Sequence, residues 1–132
     1  MTDTQIYKIN GLVNKFSVTN LYTDTEYFWQ IIAETDSGKT ISSKISSFKT
    51  TPGRRIIYLD GIKNVRDLGG IITTSGKLIK QGLLYRSKRF DYEGDGEPEI
   101  TSKGIEIAKN VLKIKTELDL RHSSEMGISI NN

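Results

Sequence analysis

The chain contains no cysteine. Disulfides, thiolate metal sites and a cysteine nucleophile are therefore excluded within its 132 residues. His122 is the one histidine, and alone it makes neither a metal site nor a nucleophile–base triad. Long apolar runs are missing as well: nothing approaches the roughly 18 consecutive apolar residues of a membrane-spanning helix. The opening Met1-Thr2-Asp3-Thr4-Gln5 lacks the basic and apolar regions of a signal peptide. The absence of cysteine does not fix the compartment, because disulfide-free proteins are also exported. The excess of one sign of charge is small too. The net charge is +3, and residues 1–51 carry five Lys and five acidic residues, so the whole excess lies beyond them. A mild basic excess there would favour an anionic substrate such as a phosphate ester; the plainer alternative is an ordinary solvated surface. The basic residues form no stripe and no nucleic-acid-binding module is present, so nucleic acid is not expected as a partner.

What is present divides into two differently patterned halves. Hydrophobic residues make up 36% of the chain, enough with its 12 glycines for a folded core. In residues 1–51, Phe16 and Val18 alternate before Leu21. Tyr27, Trp29, Ile31 and Ala33 alternate again, and so do Ile41, Ser43, Ile45 and Ser47, with Phe48 close behind. Period two with aromatic and β-branched residues predicts strands. Asp36-Ser37-Gly38-Lys39 is a turn between two of them, which predicts a hairpin. Tyr27, Trp29 and Phe48 are expected in a sandwich core, although such aromatics could also stack on a sugar.

Leu21-Tyr22-Thr23-Asp24-Thr25-Glu26-Tyr27 resembles the tyrosine corner of immunoglobulin-like sandwiches. With Phe48-Lys49-Thr50-Thr51 closing the segment, residues 10–51 resemble the last strands of a fibronectin type III-like domain. The resemblance implies an incomplete β-sandwich entered part-way through. Pro52-Gly53-Arg54-Arg55 is the expected linker, because proline cannot extend a ladder and glycine lets the chain change direction. The expected division is 1–52 and 53–132.

The second half reads as short strands at Ile56–Leu59 and Ile71–Thr74, turns at Gly69-Gly70 and Ser75-Gly76-Lys77, and extended chain from Leu78 to Ser87. One helix is predicted from Thr101 or Ser102, either of which can cap it. Ile105, Ala108, Val111 and Leu112 share its apolar face, and Gly104 weakens its first turn. A buried strand is expected over Ile114–Leu120. Helix followed by parallel strand is how a wound α/β sheet begins. No internal repeat is found. Asp91-Tyr92-Glu93-Gly94-Asp95-Gly96 fails as a Ca²⁺ loop, since Ser102 stands where the bidentate Glu is needed.

Within this half, Tyr58-Leu59-Asp60-Gly61, Asn64-Val65-Arg66-Asp67-Leu68-Gly69-Gly70, Gly82-Leu83-Leu84-Tyr85-Arg86-Ser87, the helix from Thr101, and Asp119-Leu120-Arg121 with Glu125 stand in a specific order. That set resembles the opening of bacterial protein-tyrosine phosphatases of the dual-specificity-like kind, over about residues 56–126. The fold class expected is thus an incomplete fibronectin type III-like β-sandwich followed by the start of an α/β phosphatase-like domain. The resemblance implies hydrolysis of phosphate monoesters through a phosphocysteine, with no metal or other cofactor. Its substrates would be phosphorylated proteins or phosphoinositides. It also implies a downstream H-C-x-x-G-x-x-R loop, which this chain lacks, so the chain itself is expected to be inactive.

The residues singled out for substrate binding or its support are Arg66, Asp67, Arg86, Asp119 and Arg121; none is expected to be catalytic or to hold a metal. Arg66 and Asp67 are adjacent and in a strand would face opposite sides. One reading puts Arg66 near the phosphate and Asp67 in a network that holds it. The other makes them an ion pair or turn brace, and Asp119 with Arg121 a second brace. The rival function is a non-catalytic binding or adhesion module carried by the β-sandwich; a truncated reading frame is the third. Open sheet edges and an uncovered face are expected to promote self-association.

Overall fold

Alternation along Arg55–Leu59 sets where the core lies. Arg55, Ile57 and Leu59 are buried while Arg54, Ile56 and Tyr58 face solvent, the period of an extended chain with one inward side. The computed structural model of the chain describes residues 4–11, 13–90 and 100–121. Its buried apolar residues are Ile57, Leu59, Ile62, Val65, Phe90, Ala108 and Leu112, so the core among the described residues belongs to the second half alone. The architecture is mostly small antiparallel strand pairs with one short helix.

In the first half, β1 (Glu26–Trp29) pairs with β4 (Ser46–Lys49), and β2 (Ile32–Glu34) pairs with β3 (Thr40–Ser42). Together they form one long hairpin with an irregularity in its middle. There Ser43 Oγ accepts from the Ile31 amide at 3.0 Å and Gln30 Nε2 donates to the Ser43 carbonyl at 2.8 Å. Side chains thus replace ladder bonds where one strand holds an extra residue. Tyr27 and Phe48 are register partners with rings 5.6 Å apart. The expected sandwich core is not formed: Trp29 is 46% and Phe48 42% exposed. No second sheet lies against this face among the described residues, so alternation alone cannot bury it.

In the second half, residues 55–59 run antiparallel to residues 65–67. Asp67 N donates to Arg55 O and Ile57 N to Val65 O, each at 3.1 Å. Asp60-Gly61 makes the turn, with Gly61 at φ 86°. Next, β5 (Arg66–Asp67) pairs with β6 (Tyr85–Arg86), and a small hairpin over residues 70–79 lies between them.

Although no fold-level repeat is present among the described residues, one local turn occurs twice. Thr35-Asp36-Ser37-Gly38-Lys39 and Thr73-Thr74-Ser75-Gly76-Lys77 share the pattern T-x-S-G-K. In each, the Thr hydroxyl accepts from the Lys amide at 3.1 Å and contacts the Ser hydroxyl at 3.0 Å, with glycine at φ 77°.

The helix α1 (Ser102–Glu106) begins where expected, and Thr101 Oγ1 accepts from the Gly104 amide at 3.0 Å. Gly104 is more than a weak point: a Cβ there would sit 2.2 Å from the Asp60 carbonyl oxygen. Its glycine lets the helix meet the Asp60 turn. A π-helical turn, Ile107–Val111, follows. It changes the phase of the apolar stripe, so Ala108 and Leu112 are buried while Val111 is 43% exposed. Lys113, at φ 57°, reverses the chain.

The strand expected over Ile114–Leu120 is not formed, and Leu118 and Leu120 are 80% and 87% exposed. A parallel strand is buried by neighbours and covering helices, and none lies beside it among the described residues. The acidic stretch Asp91–Gly96, His122 and Glu125 lie outside the described residues.

Candidate functional site

The site grows from one strand pair. Arg66 and Arg86 are direct register partners on β5 and β6, so their side chains leave the same face of the ribbon. Both are exposed. With Asn64, Ser87 and Lys88 they line an open depression of about 420 Å³. Three of its five lining residues are cationic and none is a carboxylate. Asn64 reaches the rim from a turn at φ 59°. Like charges directly opposite each other destabilise a ribbon. The arrangement therefore suits an anion able to bridge two guanidinium groups, as a phosphate oxyanion can.

Asp67 does the opposite of its neighbour. Its side chain is fully buried and gathers three donors. Arg55 Nη1 donates to Oδ2 at 2.9 Å, the Gly82 amide to Oδ2 at 2.7 Å, and the Gly69 amide to Oδ1 at 2.8 Å. Asp67 thus ties together the strand before it, the glycine turn after it and the entry to β6. Gly69 has no room for a side chain: a Cβ would lie 2.4 Å from Gln81 Cα. Arg66 and Asp67 face opposite sides of β5, the first exposed and the second buried.

Arg55 completes the network, although the sequence pattern around it is that of a linker. It is 3% exposed. Beyond Asp67 it donates from Nε to Leu21 O at 3.0 Å and from Nη2 to Asn20 O. Its guanidinium lies 4.0 Å from the centre of the Tyr22 ring. A usable signal existed: Arg55 shares strand parity with Ile57 and Leu59, and a charge on an inward side implies a buried partner. Nearby, Tyr85 is half-buried, and burial holds its phenol above the ordinary pKa.

Two further carboxylates are braced locally. Asp60 accepts from Thr101 Oγ1 and from Tyr58 OH, each at 2.6 Å. These bonds, Thr101 first, lower its pKa, and the Asp60 bond raises that of Tyr58. Asp119 pairs with Arg121, whose Nη2 donates to Oδ2 at 2.6 Å and whose backbone amide donates to Oδ1 at 3.0 Å. The Arg121 side-chain bond, more than the backbone one, lowers the Asp119 pKa to about 2. So Arg66 meets Arg86, Asp67 meets Arg55, and Asp119 meets Arg121. Neither Asp119 nor Arg121 lines the depression. Among the described residues no group of three or more His, Asp or Glu side chains is placed to hold a metal. No helix there is long and apolar enough to cross a membrane.

Residues 57–131 match the tyrosine phosphatase family, and that stretch is more than half of the chain. The chain belongs to this family. A relative from Cupriavidus necator, whose name assigns it provisionally to the tyrosine-protein phosphatases, is 33% identical over 73 residues. Those residues are 55% of this chain but 24% of the relative. No solved structure matches the chain. The family region holds the whole described core, β5, β6 and α1; Arg55 stands just before it.

Proposed function

We propose that residues 53–132 are the first part of a cysteine-dependent protein-tyrosine or dual-specificity phosphatase. In the full protein, a thiolate supplied downstream attacks the phosphorus of a phosphate monoester. The P–O bond to the leaving group breaks, a phosphocysteine forms, and water then releases inorganic phosphate. Arg66 and Arg86 bind phosphoryl oxygens, Asp67 holds their ribbon in place, and Asp119 with Arg121 braces the following segment. The substrate is a phosphorylated protein or a phosphoinositide. By itself the chain has no thiol and is not catalytic.

The observation carrying this reading is the cross-strand Arg66–Arg86 pair, anchored by a buried Asp67 inside a family motif. The test is extension of the chain through its native downstream sequence. Phosphatase activity should appear, survive EDTA, and vanish on Cys→Ser substitution in the added segment. Activity that EDTA removes and Cys→Ser leaves intact would falsify the thiolate mechanism.

A second reading has its own observation. The Tyr22 amide donates to Tyr27 OH at 2.7 Å, which is the hydrogen bond a tyrosine corner makes. It supports residues 1–52 as the end of a fibronectin type III-like sandwich whose function is binding or adhesion. The exposed Trp29 and Phe48 would then serve that sandwich or self-association. If the extended protein contains no phosphatase loop and shows no turnover, this reading replaces the first.

A further inference from the structure

Two side-chain amides bind backbone groups across the junction of the two halves. Asn20, at φ 62°, accepts at Oδ1 from the Tyr58 amide at 2.7 Å and donates from Nδ2 to the Tyr58 carbonyl at 2.9 Å. Gln81 does the same in return. Its Oε1 accepts from the Thr23 amide at 3.0 Å, and its Nε2 donates to the Thr23 carbonyl at 3.2 Å. Each half lends one side chain that satisfies both backbone groups of a residue in the other. A primary amide carries the same donor and acceptor as a peptide unit, so each contact imitates a strand bridge.

Arg55 lies between these two clasps. Its Nε and Nη2 donate to the carbonyls of Leu21 and Asn20. Tyr22 covers its guanidinium, and Tyr22 fits because position 82 is glycine: a Cβ there would come 2.7 Å from the Tyr22 hydroxyl. If residues 20–25 left, Arg55 would keep Asp67 but lose both carbonyls and its aromatic cover. A buried cation with unmet donors is costly. Undocking is therefore opposed by several bonds at once, as it would not be across a free tether.

We propose that residues 20–25 and the surface made by Arg55, Tyr58, Gln81 and Gly82 form an intramolecular docking interface. The occupant of that surface is this chain's own segment. The N-terminal hairpin is thereby held as a fixed partner of the phosphatase region, although Pro52-Gly53 reads as a linker. The interface opens and closes as a unit. This goes beyond the phosphatase reading and does not depend on it, since no activity is involved.

The experiment is amide hydrogen exchange on the full 132-residue chain, as wild type, Asn20→Gly and Gln81→Ala. Glycine adopts the positive φ of position 20 without strain, and both positions are only partly buried, so the variants should fold. Asn20→Gly touches Tyr58 directly and should also speed exchange at Thr23. Gln81→Ala touches Thr23 directly and should also speed exchange at Tyr58. The expected remote effect is about tenfold, the equivalent of one or two hydrogen bonds lost from a shared opening step. Acceleration confined to each variant's own partner would overturn the proposal. A second measurement uses wild type alone, following Trp29 emission and exchange of Ile57 and Val65 through a urea series. Coincident transitions support a fixed partner; loss of the Trp29 signal while the core stays protected refutes it.

Discussion

Asp67→Ala is the most consequential single substitution in this chain, and its size follows from the donors that it strands. Asp67 has three: Arg55 Nη1 and the amides of Gly69 and Gly82. Its side chain is inaccessible to solvent, so water does not replace the lost acceptor without the structure opening. Removing one partner of a buried ion pair costs about 3–5 kcal/mol. Each orphaned buried amide adds on the order of 1–3 kcal/mol, less where the losses overlap. A total near 4 kcal/mol or more is expected, against a typical domain stability of about 5–15 kcal/mol. Arg55→Met should cost less. It leaves Asp67 with two amide donors and releases only carbonyls that lie nearer the surface. In the double variant Asp67→Ala/Arg55→Met, no buried charge remains unpaired, so the two losses should not add. A coupling of about 1–3 kcal/mol is expected. The assay is urea denaturation followed by far-UV circular dichroism and Trp29 fluorescence for the four proteins of the cycle. The reasoning fails if Asp67→Ala costs under about 1 kcal/mol, if Arg55→Met proves the worse single variant, or if the two effects simply sum.

Further outcomes are expected. Gly104→Ala should lower the melting temperature even though alanine favours helix by about 1 kcal/mol, because its methyl would sit 2.2 Å from the Asp60 carbonyl oxygen; a higher melting temperature would contradict the packing. Brief trypsin digestion should cut after exposed Arg54 before buried Arg55, as read by mass spectrometry of the first fragments. In acid, Asp60 and Asp119 have folded pKa values below the ordinary carboxylate value. Their stabilisation is therefore complete above the unfolded value of 3.8 and is lost as pH falls, for Asp119 through about 2; Asp60→Asn should flatten the acid limb of a stability–pH curve, and an unchanged limb would remove Asp60 from it. Finally, the exposed Trp29 and Phe48 predict association that rises with concentration in sedimentation velocity and weakens in Trp29→Ser, whereas a monomer at every concentration would show that this face is not sticky.

Local rules made much of this chain legible, and tertiary partners account for what was not. The hairpin over residues 26–49 could be read because both signals are local, period two and a glycine turn. The Thr101 cap could be read for the same reason. Arg55 could not be read from composition. Pro52-Gly53-Arg54-Arg55 has the look of a linker; strand parity with Ile57 and Leu59 puts Arg55 inside, but its partner, Asp67, stands twelve positions later. The strand forecast at Ile114–Leu120 rested on apolar content, but a strand needs a ladder that no local pattern supplies. The core forecast for Trp29 and Phe48 failed likewise: alternation says which side is apolar, not whether anything covers it. Helix propensity marks Gly104 as a weak point, while the deciding term is the nearness of the Asp60 carbonyl.

The motif's arginine and aspartate can be understood together through strand parity. Adjacent residues on a strand point to opposite sides, so the dipeptide gives one inward and one outward charge. The inward Asp67 has every reason to be there for stability: it satisfies two glycine amides and a buried guanidinium. The outward Arg66 has no such reason. It stands opposite Arg86, and a like-charged cross-strand pair costs a few tenths of a kcal/mol up to about 1 kcal/mol. Stability alone would favour replacing one of the two with a neutral residue. An anion bridging both would reverse the sign of that interaction, and the bound state would then be more stable than the free one. Arg66→Gln should therefore raise the melting temperature in low-salt buffer without phosphate. It should also abolish any extra stabilisation that phosphate gives the wild type over chloride at equal ionic strength. A variant less stable than wild type, with the phosphate effect intact, would place Arg66 among the braces and leave the depression without a ligand.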